Sequence, residues 1–215
     1  MKASVRDIMN TDVVAVRVSA SFKEIAAKLR EHRMSAFPVL DESGTVIGVV
    51  SEADLLLKEA FEEEPGIPGM AAGILIRRDR EKAEAITAAH LMSSPAVTID
   101  PGDSVEHAAR LMYARRVKLI PVTDAAGHLV GSVSRADVLS IFDRPDEEIC
   151  QEILDRVIAE DLGADPRSFA LTVTDGIVTV QGRPESTVLG RDIIARIRHV
   201  EGVVSVRDRL SYPEP

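Results

Sequence analysis

Apolar and polar positions alternate along the first 145 residues in a way that occurs twice. Val13–Val18 is a short apolar run, and Ser21 then stands three residues before Glu24, the spacing of a capping box. Phe22, Ile25, Ala26 and Leu29 follow at helical spacing. "AFPVL" and "TVIGVV" are β-branched runs on either side of "DESG", which predicts a hairpin. "SEADLLL" opens another helix. The order returns as "AVTI", "DSVEHAARLMYARR", "LIPVT", "DAAG", "HLVGSV" and "SRADVLSIF". Each copy is predicted to fold as β-α-β-β-α.

The two copies stay in register without a gap from about Val5 to Leu57, at a constant offset of 83 residues. Met9 corresponds to Met92, Pro38 to Pro121, Gly48 to Gly131, and the closing "GVVSEAD" (to Asp54) to "GSVSRAD" (to Asp137). Neither unit is large enough to bury much surface alone, so the two are expected to pack together. Residues 61–87 separate them. They hold an acidic run, a Pro/Gly loop and a helix expected at about 75–87.

The pattern changes after residue 145. Ile149, Ile153, Val157 and Ile158 form an apolar helical stripe ending near Gly163. "FALTV" and "IVTVQG" alternate as strands around Asp175-Gly176, a strong hairpin signal. Ser186 caps a helix through Ile193, Ile194 and Ile197, and "VVSVRDRL" forms a last strand. This is an α-β-β-α-β unit. The fold class is therefore α+β, with expected domains at 1–60, 88–143 and 146–213 and a linker at 61–87.

Composition narrows the function. The net charge of −9 argues against a general nucleic-acid-binding surface. Residues 146–215 are the most acidic part per residue, with 14 Asp/Glu against 8 Arg. The single Cys150 precludes an internal disulfide, and neither paired histidines nor a cysteine cluster offers a metal site. No nucleophile–base pair or catalytic motif is visible, so no catalytic residue is assigned. The start "MKASVRDIMN" lacks the apolar segment of a signal peptide, and no run of 18 apolar residues is present. A cytoplasmic location is expected.

The chemistry sits in Ser-x-x-Asp, at Ser51/Asp54 and Ser134/Asp137. The plain reading is a helix cap. The functional reading uses the same geometry. A helix N-terminus attracts phosphate, a serine hydroxyl can donate to it, and a nearby carboxylate can accept both hydroxyls of a ribose. Gly48 and Gly131 would let a ligand approach the backbone.

The paired "DIM"/"HLM", "SAFPVLD"/"KLIPVTD" and "GVVSEAD"/"GSVSRAD" stretches resemble CBS repeats, which pair about a pseudo-twofold axis into a Bateman module. Residues 146–213, above all "DGIVTVQG", are similar to a BON domain. The resemblance implies a non-catalytic regulatory protein, forming a homodimer. It would bind an adenosyl ligand (AMP, ATP, NAD or S-adenosylmethionine) between the repeats, with no resident cofactor. For the BON part it implies contact with a protein partner or a membrane.

Carried onto this chain, the resemblance gives one cleft of Val14, Met34, Ser35 and Ala36 with Ser134, Ala136 and Asp137. The mirror cleft joins Val97, Val117, Lys118 and Leu119 to Ser51, Ala53 and Asp54. The first is expected to hold the phosphorylated ligand. Lys118 and Arg135 are assigned to it as phosphate-directed cations, against Ser35 and Glu52 at the equivalent places. The competing readings are a ligand-free dimerisation scaffold and a small enzyme.

Overall fold

A computed structural model describes residues 3–62 and 86–212, and the expected linker helix lies outside them. The chain divides into two compact units, one of Ser4–Arg135, the other of residues 136–215 with the N-terminal tip at Ala3.

In the first unit, the first copy runs α1 (Val5–Ile8), β1 (Val16–Arg17), α2 (Phe22–His32), β2 (Ala36–Leu40), β3 (Val46–Ser51) and α3 (Glu52–Glu62). The second runs α4 (Ala88–Leu91), α5 (Val105–Arg115), β4 (Leu119–Thr123) and β5 (Leu129–Ser134), continuing into α6 (Arg135–Leu139). Ser21 and Ser104 cap α2 and α5 by accepting from the backbone N–H three residues on, at 3.3 and 3.2 Å. Both helices end in a left-handed arginine, Arg33 (φ 51°) and Arg116 (φ 56°), which turns the chain sharply into the following strand.

The opening strands are shorter than the apolar runs. β1 has two residues, parallel to β2. Its counterpart is one bridge, Ile99 to Val122. β2 pairs antiparallel with β3, and β4 with β5, each ladder broken by a register shift near its end. The two hairpin tips meet: the Val46 N–H donates to the Gly127 carbonyl at 3.1 Å, and Thr45 bridges His128.

The short leading helices are exchanged between the copies. The Val5 N–H of α1 donates to Asp103 of the second copy at 2.8 Å, and Asn10 and Ser132 exchange two bonds of 2.9 Å. Reciprocally, the Ala88 N–H of α4 donates to Ala20 of the first copy at 2.8 Å, and Ser93 and Val49 exchange bonds of 2.8 and 3.1 Å. Each sequence repeat is therefore completed by the other's first turn. Val5, Ala88 and Leu91 are fully buried by it.

This exchange explains Gly48 and Gly131. A Cβ on Gly131 would lie 2.7 Å from Met9 Sδ, and one on Gly48 would meet Met92 closer still. The missing side chains make room for the partner copy's methionine. That replaces the expectation that they make room for ligand.

The second unit begins at Ala136, one residue into α6, whose residues are all at least partly exposed. The boundary between units thus falls inside "GSVSRAD", ten residues ahead of Asp146, where the sequence reading begins the last domain. Then come α7 (Asp146–Glu152), a π-helical stretch (Ile153–Asp161), β6 (Phe169–Thr174), β7 (Ile177–Gly182), α8 (Thr187–Ile197) and β8 (Ser205–Leu210). The sheet order is β6-β7-β8, antiparallel then parallel. Asp175 and Gly176 both have positive φ (52° and 69°), as a type I′ hairpin turn requires. Ile149, Ile153, Val157 and Ile158 are buried with Phe169, Val178, Val180, Ile193 and Ile197 in one core. The apolar stripe is as expected, but the turns carrying its second half are wider than α-helical.

Candidate functional site

Within the first unit a pocket of about 290 Å³ opens at the start of α3. β3 ends at Ser51 and α3 begins at Glu52, so Ser51 is the N-cap and Asp54 is the third helical residue. The Ser51 N–H and hydroxyl both donate to Asp54 Oδ2, at 2.8 and 2.7 Å. Asp54 is only 8% exposed, one of two buried polar side chains among the described residues. Capping geometry is thus present, and it holds the carboxylate facing the pocket.

One donor expected of the helix start is committed. The Glu52 N–H donates to the Ser35 carbonyl at 3.0 Å. Antiparallel register makes this unavoidable, because Ala36 pairs with Ser51 and so the start of β2 lies beside the end of β3. Ser35 and Ala36 therefore line the pocket of Ser51, Ala53 and Asp54, contrary to their assignment to the Ser134 cleft. The second hairpin repeats the arrangement: Leu119 pairs with Ser134, and the Arg135 N–H donates to the Lys118 carbonyl at 3.1 Å.

The opposite wall comes from the second copy: Arg115, Arg116, Val117, Lys118 and Leu119. The left-handed turn at Arg116 ends α5 just before β4, which brings both arginines to this wall. Lys118 thus lies in the pocket of the first Ser-x-x-Asp. The charge argument that gave it to the other cleft is revised accordingly. Three cationic side chains face this pocket, against the carboxylates of Asp54 and Glu52. Arg135 has a local role, with its Nε donating to the Val117 carbonyl at 3.2 Å.

Val14 and Met34 pack, half-buried, against the first copy's core. Val97 is half-buried outside this pocket. Ala136 and Asp137 stand in the first turn of α6, in the second unit. Arg115, Arg116, Val49 and Ser93 also line the pocket and are not among the site residues assigned from the sequence. The arginines' adjacency to Lys118 was the available signal. Ser93 enters only through the exchanged segment. Among the described residues no group of His, Cys, Asp and Glu is gathered to hold a metal ion. Among the same residues no helix is long and apolar enough to cross a membrane.

The chain resembles several curated proteins over this region. An uncharacterised protein of Methanopyrus kandleri is 28% identical over 138 residues, covering 64% of this chain and 62% of its own length. A CBS domain-containing protein of Dictyostelium discoideum is 28% identical, covering 66% of this chain and 92% of its own. The chain thus spans less than two thirds of the archaeal relative and nearly all of the other. Among solved structures, CBSX2 of Arabidopsis thaliana in complex with AMP superposes with a TM-score of 0.56 at 26% identity, over 63% of this chain and 93% of that one. The CBS domain pair of protein MJ0100 shares the fold, with a TM-score of 0.54 at 21% identity, over 66% of this chain and 98% of that one. The CBS domain family matches residues 5–60 and 88–144, the two copies read from the sequence, and the chain belongs to that family.

Proposed function

We propose that this protein is a non-catalytic sensor that binds an adenosine phosphate in the pocket bounded by Ser51–Asp54 and Arg115–Leu119. The observation that carries the reading is a buried carboxylate at a helix start, facing three cationic side chains across one pocket. Asp54 suits the hydroxyls of a ribose. Lys118, Arg115 and Arg116 suit the phosphate. Ser51 turns its hydroxyl from Asp54 to the incoming ligand. The AMP-bound relative supports the ligand class.

In this reading residues 146–213 act as a BON-type domain. Their net charge of −5 disfavours attachment to anionic bilayers by charge, so a protein partner is their target. The sensor works as a homodimer, with Leu56 and Leu139 (64% and 60% exposed) as interface candidates.

Calorimetry with AMP, ADP, ATP, NAD and S-adenosylmethionine tests the reading. Saturable binding of one of them, weakened about 10- to 100-fold by Lys118→Ala, is expected for loss of a charge-assisted bond. Absence of binding by all five leaves the dimerisation scaffold. Binding unaffected by Asp54→Asn and Lys118→Ala removes this pocket from consideration.

A further inference from the structure

A second hollow lies in the α-β-β-α-β unit, between its π-helical stretch and α8. It is lined by Arg156, Val157, Asp161, Ala195, Arg196, His199 and Val200. Its volume is about 620 Å³. The π-helical winding matters here. Arg156 and Asp161 are five residues apart, about 140° around an α-helix, and the wider turn brings both to one hollow. On α8 and the turn after it, Arg196 and His199 are three residues apart and share a face.

Two arginines and a histidine thus face a single carboxylate, in the most acidic part of the chain. The Arg156 Nε is buried and has no hydrogen-bond partner. An unsatisfied buried donor is costly, and an acceptor reaching it from a bound anion would relieve that cost. Arg156 is also free to be recruited. Its other contact is an ion pair with Glu152, which is held independently by Arg144 at 2.7 Å. Moving Arg156 into the hollow would leave Glu152 paired. Arg196 is only loosely held, 3.5 Å from Asp161. His199 Nδ1 lies 2.8 Å from the Ala195 carbonyl, which can only accept. That nitrogen therefore carries the proton, and Nε2 is left to face a ligand.

We infer that this hollow binds a phosphate group, with Arg156 and Arg196 as paired donors and His199 Nε2 accepting from a P–OH of the phosphate. Planar guanidinium forks are suited to the oxygens of a tetrahedral oxyanion. The site is independent of the adenosine pocket and takes its residues from a different unit.

The test is NMR of the full chain, following the arginine Nε–H signals of Arg156 and Arg196 and the ring of His199. Inorganic phosphate is titrated at constant ionic strength, with sulfate-free chloride as control. Phosphate should move these three signals together, and Arg196→Gln, at an exposed position, should weaken the response about tenfold. Vesicles of phosphatidylcholine with and without phosphatidylglycerol distinguish the source. A response to free phosphate alone assigns the site to a soluble phosphate, and an added response to the anionic vesicles assigns it to a lipid headgroup. No shift in either arm, or a shift unchanged by both Arg196→Gln and Arg156→Gln, overturns the proposal.

Discussion

Met92 Sδ lies where a side chain of Gly48 would be, and Met9 Sδ stands in the same relation to Gly131. Each methionine comes from the leading segment of the other copy, so the two glycines are the points where the copies interlock. Gly48→Ala is expected to destabilise the protein by about 1–3 kcal/mol through overpacking. That corresponds to a fall in melting temperature of about 2–4 °C per kcal/mol. Met92→Ala in the same chain should recover part of the loss. A Gly48→Ala protein that melts with the wild type would contradict the interlock.

Glu52 opens α3 on the rim of the pocket proposed to bind an adenosine phosphate. Its carboxylate opposes a phosphate held by Lys118, so Glu52→Gln should tighten phosphorylated ligands about two- to fivefold, the value of an exposed charge interaction. Adenosine itself should be unaffected. Equal changes for adenosine and AMP, measured by calorimetry, would show that Glu52 does not sense the phosphate.

Asp146 reaches across to the hairpin turn of the second unit. Its carboxylate accepts from the Asp175 and Gly176 N–H groups at 2.8 and 2.9 Å. Asp146→Ala leaves both donors without that partner, and one belongs to the buried Gly176. A loss of about 1–3 kcal/mol is expected, with faster amide exchange at Gly176. Unchanged exchange at that amide would show the contact to be unimportant.

Both CBS hairpins turn on an aspartate whose carboxyl pKa is lowered. At Asp41 the main cause is the Ser43 hydroxyl, followed by the Thr45 N–H, and at Asp124 it is the His128 N–H. A lowered folded-state value means that the unfolded chain takes up the proton more readily. The stabilisation is therefore present above the ordinary value of 3.8 and is lost as pH falls through the lower folded-state value. Asp41→Asn should melt below wild type near neutral pH, and the gap should close on acidification from about pH 5 to pH 2. A gap independent of pH would assign the turn's stability to something other than this carboxylate's ionisation.

The repeat, its elements and the Ser-x-x-Asp phrase were legible in the sequence because they rest on local rules. Capping by Ser21 and Ser104, the period of 3.6 along α2 and α5, and the paired positive φ of Asp175-Gly176 each involve residues close in the chain. The π-helical winding after Ile153 was not visible, since the buried stripe Ile149, Ile153, Val157 and Ile158 is compatible with either winding. Pairing at a distance escaped too. Nothing in a contiguous copy says that its first turn will dock on the other copy, and so the glycines were read as ligand contacts. The site shows the same division. The sequence by itself determined that a serine and an aspartate meet at a helix start. Which strand faces them was decided by hairpin register, which ties Ser35 to Glu52, and by the turn at Arg116, which delivers Lys118 to the opposite wall. Those relationships depend on packing between segments far apart in the chain, and only the tertiary structure supplies them.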